Sequence, residues 1–102
     1  MITHVVLLRV QESVPAKEVE RVFGAIGALK ARIPGILAYS WGPYSSPEGL
    51  HKGFTHGFVM TFTDAAARDG YLSHSEHEVV KGRVLAILDG GLDGVIAFDY
   101  AS

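Results

Sequence analysis

The chain has 102 residues, 48% of them hydrophobic and 20% charged, a balance that supports one folded domain over residues 1–102 and argues against disorder. Its formal charge of -2, from 9 basic and 11 acidic residues spread along the chain, offers no basic patch to nucleic acid or to an anionic membrane. The lack of cysteine excludes disulfides and thiolate metal sites, and no long uncharged apolar run suggests a signal peptide or a membrane span, so the cytoplasm is the expected location.

In chain order, "ITHVVLLRV" at 2–10 is β-branched or aliphatic at almost every position and reads as a strand buried on both faces. From Pro15 to Ile33, Val19, Val22, Phe23, Ile26, Leu29 and Ile33 recur at intervals of three and four, which defines an amphipathic helix. Ser13 and Pro15 suit its first turn, and "IPG" at 33–35 ends it. "ILAYSWG" at 36–42 follows as a second strand, and "PYSSPEGLHKG" at 43–53, with two prolines and two glycines, as the one substantial loop. "FTHGFVMTF" at 54–62 is a third strand. Thr63 is placed to cap a short helix, "DAAARDGYL", and Ser75 with Glu78 forms a capping-box pattern for a second helix running to about Leu88. "DGGLDG" at 89–94 forces turns before a last strand, "VIAFDY", at 95–100.

This order predicts an α+β fold, the split βαββαβ of ferredoxin-like proteins, with a four-stranded antiparallel sheet and helices on one face. The other sheet face carries Val5, Leu7, Ile96, Phe98 and Tyr100. Covering a few hundred Å² of such a surface is worth several kcal/mol at about 25 cal/mol per Å², so the expected remedy is a homodimer closing a sheet-on-sheet α/β barrel. A monomer with an adhesive sheet is the alternative.

Alternation then sorts the side chains. His4, Val6 and Leu8 face the helices, with His56, Phe58, Met60 and Phe62 of the third strand and Asp99 of the fourth. A buried carboxylate needs a donor, and His77, near the start of the last helix, is the expected partner of Asp99. Held that way, one imidazole nitrogen keeps its proton and the other is free as a base, while the Tyr71 phenol is a donor to a substrate oxygen. The same residues also describe a plain structural hydrogen bond and a core tyrosine. His74 and His77 have metal-like spacing only if one helix carries both, and Ser75 is read as a cap between them; neither metal nor cofactor is expected. Phe23, Ile26, Phe58 and Met60 read either as plain core or as a cavity wall.

Together "THVVLLRV", "IPGI", "WG", "GFTHGFVMTF", "YLSHSEHEVV" and "FDY" resemble the stress-responsive α/β-barrel (Dabb) family over nearly the whole chain, from Ile2 to Tyr100. The resemblance implies a homodimeric barrel of ferredoxin-like protomers. It also implies a site like that of the family's plant polyketide cyclase, where a tyrosine and a histidine carry an aldol-type ring closure and an aspartate orients the histidine. By position these are Tyr71, His77 and Asp99, with His4, His56 and His74 also corresponding, and with Val6, Leu8, Val22, Phe23, Ile26, Phe58 and Met60 around an apolar pocket. Val22 and Ile26 stand where the cyclase has larger aromatic rings. The implied function is binding of a small, partly apolar carbonyl or aromatic metabolite with acid/base capacity. The rivals are an inert stress-related assembly module and a cofactor-independent monooxygenase of the related barrel type.

Overall fold

The computed structural model describes residues 1–102. The elements are β1 (Ile2–Leu8), α1 (Ala16–Ala28), β2 (Ile36–Pro43), β3 (His56–Phe62), α2 (Ala65–Leu72), α3 (Ser75–Ile87) and β4 (Val95–Ala101), with 3-10 turns at Leu29–Ala31 and Gly91–Gly94. The strands form one four-stranded sheet in the order β2-β3-β1-β4, every neighbouring pair antiparallel. This is the expected ferredoxin-like arrangement. β1 is apolar at nearly every position because it lies in the middle, paired with β3 on one side and β4 on the other.

The core lies between the sheet and the helices. Leu8, Met60 and Phe62 from the sheet are fully buried against Val22, Phe23 and Ile26 of α1. The α1 stripe works as its spacing predicts. After Ala28 the chain tightens into the 3-10 turn and reverses at Gly35, whose φ of +92° favours glycine and whose added Cβ would stand 2.5 Å from the Ala67 Cβ. The reversal therefore also seats α2.

The helix starts differ from the expected caps. Pro15 is the N-cap of α1, without a side-chain hydrogen bond, so Ser13 has no capping role. Asp64, one residue beyond Thr63, caps α2 by accepting from the Ala67 N–H at 2.8 Å. His74 rather than Ser75 caps α3, its Nδ1 accepting from the Glu76 N–H at 3.1 Å. An imidazole nitrogen satisfies an orphan amide as a hydroxyl does, and that shifts the helix start by one residue.

On the outer face of the sheet, Leu7, Leu37, Val59, Ile96, Phe98 and Tyr100 remain exposed, Phe98 by 64%. They belong to the face expected to seek cover. No helix is long and apolar enough to cross a membrane.

Candidate functional site

Two local features build the site. The first is the break between α2 and α3, where α2 ends at Leu72, His74 N–H returns to the Tyr71 carbonyl at 3.1 Å, and α3 begins at Ser75. The reversal lays the His77 ring against the Tyr71 ring, centroids 4.5 Å apart. The second is the β1–β4 register, which sets His4 directly opposite Asp99.

That register corrects the expected pairing. Asp99 does not orient His77. Its Oδ1 takes a hydrogen bond from His4 Nδ1 at 2.5 Å, and its Oδ2 accepts from Arg68 Nη1 of α2 at 2.9 Å. Burial by itself would raise the Asp99 pKa, but the hydrogen bonds from His4 and Arg68 and their charges outweigh it and hold the carboxyl below the usual range. An ionised Asp99 only accepts, so His4 carries a proton on Nδ1 and donates it to the carboxylate.

His77 is the opposite case. Its Nδ1 is the one fully enclosed side-chain nitrogen or oxygen with no hydrogen-bond partner, the nearest carboxylate oxygen, Glu78 Oε1, being 3.9 Å away. Burial lowers its pKa, Glu78 and the Leu72 backbone pull it back up, and the positive charges of Lys81 and His4 lower it further. The net effect is downward. His77 is thus a neutral imidazole at physiological pH, with a free lone pair or a free N–H. Burial pushes the Tyr71 pKa up to about 12, so the phenol keeps its proton and is a donor.

His4, Tyr71 and His77 share the wall of a cavity of about 230 Å³. The sheet contributes Val6, Leu8 and Phe58 to it, and Ile26 comes from α1. The remaining wall is mostly α3 and the return to β4: Val80, Lys81, Val84, Leu85, Leu92, Val95 and Ala97, with Leu72 at the helix break. Sequence reading missed this half. The positions 77, 80, 81, 84 and 85 follow helical spacing and were the available signal, masked because the polar and apolar residues of α3 are not segregated into clean faces. Arg68 was missed too, because nothing local marks an arginine that reaches a strand so far away in sequence.

Other expected pocket residues lie elsewhere. Val22 and Met60 are packed solid in the core. Phe23 is also fully buried, stacked on Trp41 with centroids 4.5 Å apart. His56 bonds Thr55 Oγ1 through Nδ1 at 2.8 Å and lines a separate hollow with Trp41 and Val19. His74 is spent on its cap. The site is therefore a small apolar cavity holding a carboxylate-held imidazole, an unpartnered imidazole and a phenol donor.

A two-layer ferredoxin-like protomer with such a cavity between helices and sheet defines the class. The chain belongs to the family described as the Stress responsive A/B Barrel Domain, which matches residues 2–102. It is 31% identical to the stress-response A/B barrel domain-containing protein HS1 of Arabidopsis thaliana, over 97% of this chain and 87% of the relative. Among solved structures it is similar to a dimeric ferredoxin-like protein from Jannaschia sp. CCS1, with a TM-score of 0.89 and 27% identity over 99% of this chain and 98% of the other. Its fold is also that of a hydroxynitrile lyase from Passiflora edulis, with a TM-score of 0.85 at 19% identity over 97% of this chain and 90% of the other.

Proposed function

We propose that the chain works as a homodimer that binds a small, partly apolar carbonyl or aromatic metabolite in the cavity under α3 and assists proton transfer at a carbon next to the carbonyl. The observation that carries this reading is the unpartnered His77 Nδ1, enclosed beside Tyr71 in a wall that is otherwise polar only at His4 and Lys81. An imidazole nitrogen desolvated without a partner is destabilising to the fold, and the place of that ring on the wall of a ligand-sized hollow gives the cost a use.

In the proposed step, His77 takes the proton from the carbon, the C–H electron pair moves into the carbonyl to form an enolate, and the Tyr71 hydroxyl donates a hydrogen bond to the enolate oxygen. The proton then returns to the carbon. His4, fixed by Asp99, lines the same cavity and positions a polar group of the ligand. Acid/base assistance of this kind supplies roughly 10² to 10⁴ in rate, so binding must supply the positioning. The dimeric Jannaschia relative and the exposed apolar sheet face support the homodimer.

The test is deuterium exchange into the α-carbons of 4-phenylbutan-2-one in D2O, followed by proton NMR. Exchange above the buffer rate, lost in His77→Ala and reduced in Tyr71→Phe, supports the reading. A second reading, a non-catalytic assembly module, draws on the way Asp99 spends both oxygens tying β1 and α2 to β4. Exchange no faster than buffer, with no ketone-induced shifts in the protein spectrum, favours that module instead.

A further inference from the structure

Lys81 is an exposed residue of α3 that reaches the cavity wall. It lies four residues after His77, one turn on along the same face of α3, and it lines the cavity with its neighbours Val80, Val84 and Leu85. It takes part in none of the side-chain ion pairs of the protein. Its charge is felt at His77, on the cavity wall. Leu72 and Leu92, both exposed, line the same cavity, and Lys81 is exposed beside them.

We propose that Lys81 selects the ligand's charge: the cavity takes an organic carboxylate whose apolar body lies against Val6, Leu8 and Phe58 while its anionic end meets the Lys81 ammonium. This deepens the preceding proposal and rests on it, adding a substrate class to a site read there only as apolar. No carboxylate lines the wall, whose polar members are His4, Tyr71, His77 and Lys81, and Lys81 supplies the charge complementary to an anion. An apolar body is required because a bare anion would leave the greater part of the wall uncovered. The competing account is a lysine whose methylene stem merely covers the α3 face while its head stays in water.

Calorimetric titration with 3-phenylpropanoate and its neutral isostere 3-phenylpropanamide separates the two. The wild-type chain is expected to bind the acid about fivefold more tightly than the amide, the advantage shrinking as salt is raised. Lys81→Met keeps an apolar stem and removes the charge, so it should bind the two alike; Lys81→Glu should prefer the amide, and Lys81→Arg should keep the acid preference. Equal affinities in the wild type, or a preference that survives in Lys81→Met, overturn the assignment of Lys81 while leaving the cavity reading intact if the amide binds or the ketone exchanges. Binding of inorganic phosphate as tight as that of 3-phenylpropanoate overturns it as well, since the apolar body would then contribute nothing. Failure of both phenyl compounds to bind, together with no ketone exchange, removes both proposals.

Discussion

His4 and Asp99 sit directly opposite each other on β1 and β4 and are joined side chain to side chain, so the carboxylate that the sequence reading gave to one histidine belongs to another. With Arg68 on its second oxygen, Asp99 connects two strands and a helix. Replacing it with Ala leaves the His4 N–H and a guanidinium without their acceptor and should cost about 2 kcal/mol, read as a lower midpoint in urea. Asp99→Asn should cost less, because the amide oxygen still accepts from one of the two donors.

The same carboxylate gives an acid limb of known sign. Its pKa is lower folded than unfolded, so its contribution to stability is fully present above the unfolded value, near 3.9, and is lost as pH falls through the lower folded value. In a plot of unfolding free energy against pH, Asp99→Asn should flatten that limb.

His77 titrates with the same sign in a higher window. Burial keeps its folded pKa below the ordinary value, so the unfolded chain binds more protons as pH drops below about 6.5, and stability falls from there toward the folded pKa. His56, also lowered by burial, adds to the slope. His77→Phe removes one titration and one unpartnered buried nitrogen. Its thermal midpoint at pH 7 should match or exceed that of the wild type, its decline between pH 7 and 5 should be shallower, and its ketone exchange should be absent.

Gly35→Ala tests the turn that joins the first half of the fold to the second. A φ of +92° and a Cβ placed 2.5 Å from the Ala67 Cβ strain the backbone and push α2 away at once, so a loss of more than about 1 kcal/mol is expected in chemical denaturation.

The outer sheet face answers to Phe98. Putting a charge there, as Phe98→Glu, should convert the proposed dimer to monomer in analytical ultracentrifugation while the far-ultraviolet circular dichroism keeps its shape.

Much of this architecture is readable from the residues because alternation in strands and threefold-to-fourfold spacing in helices depend only on near neighbours. His4, Val6 and Leu8 face the helices, Ile96, Phe98 and Tyr100 face away, and the α1 stripe is buried, all as that logic requires. The pairing of Asp99 was not readable in the same way. Face assignment put His4, His56 and Asp99 in one layer but said nothing of register, and the choice of His77 over His4 rested on the carboxylate's need of a donor and on the place of His77 near a helix start rather than on strand geometry. Had β1 and β4 been aligned end to end as neighbours, Ile2 against Ala101, His4 would have fallen opposite Asp99. The caps failed for a smaller reason: a histidine at position 74 competes with the serine beside it for the same amides, and local preference alone ranks serine first.

The His4–Asp99 bond closes a loop of nearly the full chain, its partners 95 positions apart. During synthesis the first strand leaves the ribosome with its imidazole unclaimed, and it stays so until β4 has been made. A nascent chain arrested before β4 can gather α1 against β3, but it lacks the aspartate and a flank of its central strand. Completion of the cavity therefore waits on a contact between distant parts of the chain, the kind whose closure costs more entropy than the local bonds of the helices that form its roof.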